Sequence, residues 1–213
     1  MKISIIDIGS NTIKLIIYEV RKDNSFIGVR QESTKVKLGE SLAYSDSLNE
    51  QSIVKSIDVL LQYSDIARLE AANKVLCVGT SAVREARNGQ YFIDQVLKKT
   101  GFRIRVLNGE EEAYYSYLGA SMMTCIPNGL FFDLGGGSLE LVYTEDFNVE
   151  KAEALPLGAL RLSRTFANED GSFSKKNCDN MTQRILDTLP TKKNYGIGID
   201  TLLVGAGGML RAL

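Results

Sequence analysis

Gly129-Leu-Phe-Phe-Asp-Leu-Gly-Gly-Gly-Ser-Leu-Glu-Leu-Val-Tyr143 carries an apolar run into a carboxylate, Asp133, and then three glycines and a serine into a second run. Leu139, Leu141 and Tyr143 alternate with Glu140 and Val142, so the spacing predicts strand, tight turn, strand. Gly135, Gly136 and Gly137 have no Cβ, which lets backbone N–H groups come close to a ligand. Amides presented this way suit a phosphate, and a neighbouring carboxylate suits the Mg²⁺ that travels with it. Taken alone, the turn fits an ordinary hairpin equally well.

A second copy changes that reading. Ile6-Asp-Ile-Gly-Ser-Asn-Thr-Ile-Lys-Leu-Ile16 aligns without gaps on residues 132–142, placing Asp7 on Asp133, Gly9 on Gly135 and Thr12 on Ser138. Ile13 falls on Leu139 and Leu15 on Leu141. An internal repeat dictates architecture. Two carboxylate-glycine-hydroxyl hairpins predict two similar lobes, each offering a turn to one polyphosphate-bearing ligand across a cleft.

The bulk properties narrow the field. The chain has 213 residues, of which 44% are apolar and 24% charged, as in ordinary globular proteins. A net charge of −1 gives no general attraction to nucleic acid or to an acidic membrane. No apolar run approaches a membrane span, and no signal-peptide pattern opens the chain. Cys77, Cys125 and Cys178 are odd in number and widely spaced, which reads as reduced thiols in a cytoplasmic protein. Histidine is absent, and this excludes Ser-His-Asp and Cys-His nucleophile systems and an imidazole-based zinc site. A general base must be a carboxylate or a lysine.

Along the chain, residues 2–20 predict two strands, with Phe26–Arg30 and Thr34–Leu38 as two shorter ones and 39–47 as a loop. Asn49 is the expected cap of a helix to about Ala71, with Ile53, Ile57, Leu60 and Leu61 on one face. Lys74–Gly79 predicts a strand with Cys77 as a core thiol. Thr80-Ser81-Ala82-Val83-Arg84 then begins a helix whose N-terminus attracts anions, although Arg84 also fits a solvated surface position. Asn88-Gly89 breaks that helix, Gly101 ends the next, and Arg103–Leu107 is a strand. Glu110, Glu111 and Glu112 open another helix, either as partners of its dipole or as functional carboxylates. Pro127-Asn128 marks a domain boundary, giving domains 1–125 and 126–213. Lys151–Leu157 is a strand that ends or lies at an edge because of Pro156. Helices follow over 158–166 and 175–189, then a strand over 201–205 and a glycine turn before a fresh helix start. A chain ending there reads as a piece of a longer protein, its second domain incomplete. Lys14, Lys35 and Lys37 read as solvated strand positions.

These motifs resemble the exopolyphosphatase / guanosine-pentaphosphate phosphohydrolase family of the actin–Hsp70–sugar-kinase superfamily. The matching stretches are Asp7–Thr12, Gly79–Ala86, Asn108–Ala113, Asp133–Ser138, Leu155–Arg161 and Gly205–Gly208, in the family's order and over essentially the whole chain. The resemblance implies an α/β fold of two RNase-H-like domains, mixed sheets flanked by helices, with the site in the cleft. It implies Mg²⁺-dependent hydrolysis of a terminal phosphoanhydride, with inorganic polyphosphate or guanosine pentaphosphate as substrate. Glu112 takes the place of the catalytic base and Arg84 that of the arginine contacting the transferred phosphate. The resemblance makes Asp133 and Asp7 the metal-site carboxylates. Gly9, Ser10, Asn11 and Thr12, with Gly135, Gly136, Gly137 and Ser138, and Gly207 and Gly208, are the phosphate-binding residues. Tyr114, Leu139, Met209 and Ser41 depart from the family pattern. A kinase or chaperone-like ATPase of the superfamily and a non-catalytic sensor are the rival readings. Oligomeric state is left open, a homodimer included.

Overall fold

The computed structural model describes residues 1–190, 195 and 201–208. It divides into two compact units, Met1–Leu107 and Asn108–Leu213.

The first unit opens with strands β1 (Lys2–Ile8), β2 (Thr12–Val20) and β3 (Phe26–Lys35), paired antiparallel as a meander. A 3-10 turn (Glu40–Ala43) and helix α1 (Glu50–Leu69) then lead to β4 (Lys74–Gly79), which lies parallel to β1. Helices α2 (Ser81–Glu85) and α3 (Gly89–Thr100) lead to β5 (Ile104–Val106), and the sheet order is β3-β2-β1-β4-β5. Ile13, Leu15 and Ile17 alternate along β2 and are fully buried with Ile53, Ile57 and Leu60 of α1 and Phe92 and Val96 of α3. Asn49 caps α1, its side chain accepting from the Ser52 amide, and Gly101 ends α3 at φ +76°.

Four expectations change here. Phe26–Lys35 is one strand, continuous across polar Gln31-Glu32-Ser33 because an edge strand with both faces wet needs no apolar alternation. Residues 39–47 contain the 3-10 turn. Leu61 is 40% exposed, because it lies at the margin of the buried stripe of α1, which runs through Ile53, Ser56, Ile57, Leu60, Tyr63 and Ala67. The helix begun at Ser81 ends at Glu85, before Asn88; the Asn88 side chain instead bonds both backbone groups of Leu48.

The second unit begins with helix α4 (Gly109–Ser121), followed by the meander β6 (Gly129–Leu134), β7 (Leu139–Glu145) and β8 (Asn148–Leu155). Helices α5 (Ala159–Phe166) and α6 (Lys175–Thr188) lead to β9 (Leu202–Ala206), parallel to β6, in the order β8-β7-β6-β9. Strand β8 ends at Leu155, directly before Pro156, and lies at the edge of its sheet. The core gathers Ala113 and Tyr117 of α4 with Ile126, Phe131 and Val142. Helix α4 packs on β6, β7 and β8, so the compact units part at Leu107/Asn108, whereas the expected boundary falls at 125/126 and leaves α4 with the first domain. The helix start expected at Met209 lies outside the described residues.

The repeat is visible as register. Asp7 faces Lys14 and Ile8 faces Ile13 in the first hairpin; Asp133 faces Glu140 and Leu134 faces Leu139 in the second. The turns close with the same bond, Gly9 N–H to Thr12 O at 3.1 Å and Gly135 N–H to Ser138 O at 3.0 Å. In each unit the first strand of the hairpin also pairs in parallel with a strand that runs into a glycine, Gly79 as the last residue of β4 and Gly207 directly after β9.

Candidate active site

In the second unit, the first turn of α4 sorts its three glutamates. Asn108 caps the helix by accepting from the Glu111 amide at 2.8 Å, and the Glu111 carboxylate accepts from the Asn108 amide at 3.0 Å. This reciprocal pair uses Glu111 structurally. Glu110 is exposed, whereas Glu112 is turned to the hairpin, accepting from the Ser138 hydroxyl at 3.5 Å. The alternatives left open for the acidic run therefore divide by residue: the capping role falls to Glu111, and Glu112 faces the glycine turn.

Glu140, to which the sequence reading gave no role, completes the group. It is 3% exposed, hydrogen-bonded to Ser138, and its Oε1 has no partner. Burial first, and then the charges of Glu112 and Asp133, push its carboxyl up to about 8. A carboxyl kept largely protonated at neutral pH between two others marks a place where negative charge is already crowded, and where a cation is welcome. The available signal was the repeat itself: Glu140 aligns with Lys14, and a charged residue in a strand that packs against a helix calls for an account.

Asp133 is half-buried at the end of β6. Gly207 crosses beside it at φ +113°, where a Cβ would lie 2.9 Å from Asp133 Oδ1 and 2.7 Å from Leu134 O. Only glycine fits, and β9 thereby delivers its turn to the carboxylate. Gly208 is exposed. All the donors here are oxygens, which suits a hard cation such as Mg²⁺. Among the described residues no three acidic, cysteine or histidine side chains converge to hold one ion by themselves. That fits an ion bound by one or two carboxylates together with water and substrate phosphates.

In the first unit, Ser10 and Ser81 join their hydroxyls at 2.8 Å, and both residues are buried, at 6% and 1% exposure. The Ser10 hydroxyl is thus engaged inside the unit, as is the hydroxylic start of the five-residue α2. Asn11 Oδ1 is buried without a partner. Arg84 donates to Leu107 O at 2.8 Å and lies 3.9 Å from Glu85. Asp7 is half-buried beside Cys77, whose thiol is pushed up to about 12 by burial and by the Asp7 charge. Cys77 is an inert core thiol.

Among the residues that depart from the family pattern, Ser41 has a local task. Its hydroxyl donates to Ser47 O at 2.7 Å and accepts from the Asn49 amide at 3.2 Å. Tyr114 is partly exposed and meets Tyr115 edge-on. Met209 lies outside the described residues.

Residues 16–213 match the model of the Ppx/GppA phosphatase family. The chain is 34% identical over 184 residues to a bifunctional 3-dehydroquinate synthase/phosphatase of Fusobacterium nucleatum, covering 81% of this chain and 28% of that protein. It is 29% identical over 213 residues to a guanosine-5'-triphosphate,3'-diphosphate pyrophosphatase of Aliivibrio fischeri, covering 98% of this chain and 42% of that protein. The chain thus spans less than half the length of either relative. Among solved structures, an exopolyphosphatase from Cytophaga hutchinsonii superposes with a TM-score of 0.90 at 25% identity, covering 99% of this chain and 68% of that one.

Proposed function

The chain belongs to the Ppx/GppA phosphatase family, and from that premise we propose that it is a Mg²⁺-dependent phosphohydrolase releasing the terminal phosphate of inorganic polyphosphate. The observation that carries the reading is the placement of Glu112, Asp133 and Glu140 around the Gly135–Ser138 turn. Phosphoryl transfer asks a protein for positioning and charge neutralisation more than for covalent chemistry.

In this reading the amides of Gly136, Gly137 and Ser138 hold the terminal phosphate, with Gly135 N–H closing the turn, and Glu112 takes a proton from the attacking water. Water oxygen bonds to phosphorus as the bond to the bridging oxygen breaks, giving orthophosphate and a chain one unit shorter. Ser138, donating to Glu112, keeps that carboxylate aimed at the turn. With histidine absent, a carboxylate is the base on offer. The bound Mg²⁺ would be held at Asp133, directly or through water, with Asp7 its counterpart in the first unit, and would neutralise phosphate charge. In the first unit Gly9 closes the turn, and the amides of Ser10, Asn11 and Thr12, with Arg84, would bind an anion. Gly207 and Gly208 extend the glycine surface beside Asp133. A cytoplasmic setting follows from the reduced-thiol reading.

A second reading, removal of the 5′ γ-phosphate of guanosine pentaphosphate, is favoured by the resemblance to the Aliivibrio protein along nearly the whole chain. The test is phosphate release with Mg²⁺ from polyphosphate, guanosine pentaphosphate and ATP, with EDTA and Glu112→Gln controls. Release that collapses in both controls supports the hydrolase and selects its substrate. Binding without release from any of the three leaves a sensor and removes the enzyme.

A further inference from the structure

The segment that follows the third strand of each unit folds back onto the hairpin turn and occupies its carbonyl oxygens. In the second unit, Ala159 N–H donates to Gly135 O at 2.9 Å, and Leu160 and Arg161 N–H donate to Gly136 O at 2.9 and 3.1 Å. Gly137 O accepts from Gly158 N–H at 3.3 Å and from the Arg161 guanidinium Nε at 2.9 Å. In the first unit, Gly39 N–H donates to Ser10 O at 2.8 Å, and Val36 and Lys37 N–H donate to Asn11 O at 3.0 and 2.9 Å. Both returning segments read Leu-Gly, Leu38-Gly39 and Leu157-Gly158, with the leucines buried and the glycines pressed against the turn. A Cβ on Gly158 would stand 2.2 Å from Gly137 C and 2.4 Å from Gly136 C; one on Gly39 would stand 2.9 Å from Ser10 Cβ.

A trans peptide unit points its C=O and N–H in opposite directions. Fixing the carbonyls of residues 135, 136 and 137 toward α5 therefore aims the amides of Gly136, Gly137 and Ser138 away from it. Among the described residues, no backbone carbonyl accepts from these three amides. The first amides of α5, which would otherwise be an anion site of their own, are spent on the turn.

We infer that Gly158 and Arg161 are positioning residues that preset the amides of the Gly135–Ser138 turn for a phosphate, and that the Leu-Gly returns are a second half of the internal repeat. The inference deepens the phosphohydrolase reading and takes its ligand from it. In the first unit main-chain donors hold the Ser10 and Asn11 carbonyls, and in the second the Arg161 side chain joins them at Gly137 O.

The test is a titration of the ¹⁵N-labelled chain with inorganic pyrophosphate, following the Gly136 and Gly137 amide resonances in the parent, Arg161→Met and Arg161→Lys. In the parent both resonances move on binding. In Arg161→Met they are displaced before any ligand is added, and pyrophosphate binds about tenfold more weakly, the cost of one charge-assisted bond. Arg161→Lys, which still offers a charged donor to Gly137 O, recovers part of the loss. Gly158→Ala, provided it folds, displaces the same two resonances. With polyphosphate, the Arg161→Met defect falls on KM more than on kcat. Undiminished pyrophosphate binding in Arg161→Met overturns the inference whatever the chain hydrolyses. A parent that binds pyrophosphate at the turn, loses it in Arg161→Met and yet hydrolyses nothing upholds the inference and sinks the hydrolase. A parent whose turn amides ignore pyrophosphate overturns both.

Discussion

Lys14 in the first hairpin and Glu140 in the second hold the same register position, each directly across from an aspartate, yet Lys14 is exposed and Glu140 is buried. The hairpins are alike in strand order and closing bond, so local structure does not separate them. What differs is the covering helix. Helix α1 packs on the Ile13–Leu15–Ile17 face and leaves Lys14 on the other; α4 packs on the Glu140–Val142 face and seals it. One hairpin design thus yields a solvated cation in one unit and a crowded carboxyl group in the other. The chemistry of the second unit comes from α4.

The largest expected effect tests the part with no counterpart in the first unit. Glu112→Gln should lower phosphate release by about 10²–10⁴-fold, as loss of a general base does. Loss below tenfold in a steady-state assay would return the two hairpins to equal standing.

The matched glycines sharpen the comparison next. Gly207→Ala must hold an L-residue at φ +113° with its Cβ against Leu134 O and Asp133 Oδ1, whereas Gly79→Ala meets only the side chains of Ile104 and Val83 at 3.1–3.3 Å. Urea unfolding should show a loss of about 2–3 kcal/mol for the first and about 1 kcal/mol for the second. The reverse order would show that the two strand ends are not built alike.

Glu140 gives the comparison a pH dependence. Its folded carboxyl titrates near 8 rather than at the ordinary 4.5, so the folded state keeps a proton that the unfolded state releases. Below about pH 4.5 both states are protonated; between there and about 8 stability declines with rising pH. Without added metal, Glu140→Gln should be level with the parent or below it at pH 5, and should melt about 3–6 °C above it at pH 8.5. Parallel melting curves for the two proteins across that range would contradict the buried placement. The smallest effect belongs to Lys14→Ala, which should stay within about 0.5 kcal/mol of the parent at any pH tested.

How much of this was legible in the residues differs by element. The repeated Asp-x-Gly-x-x-hydroxyl pattern was enough for the hairpins, because a period of two around a glycine turn admits few other shapes. Asn49 and Gly101 announced their caps through side-chain chemistry that acts within a few residues. The pattern over Phe26–Leu38 predicts two strands where the structure has one over Phe26–Lys35, because an edge strand carries no continuous apolar face. Leu61 is exposed although it fits the apolar pattern of α1, because an apolar residue at the margin of a helical stripe looks the same in sequence as one at its centre.

The sequence by itself determined the repeat, the absence of histidine chemistry, the carboxylates on offer and the family resemblance, since these depend on residue identity and near-neighbour spacing. Which glutamate of 110–112 faces the turn, that Ser10 spends its hydroxyl on Ser81, that Glu140 is sealed and crowded, and that the α5 amides are consumed by the glycine turn were decided by tertiary structure alone. Each of these depends on which helix covers which face of a sheet, and that choice is made by burial of side chains far apart in the chain rather than by any local pattern.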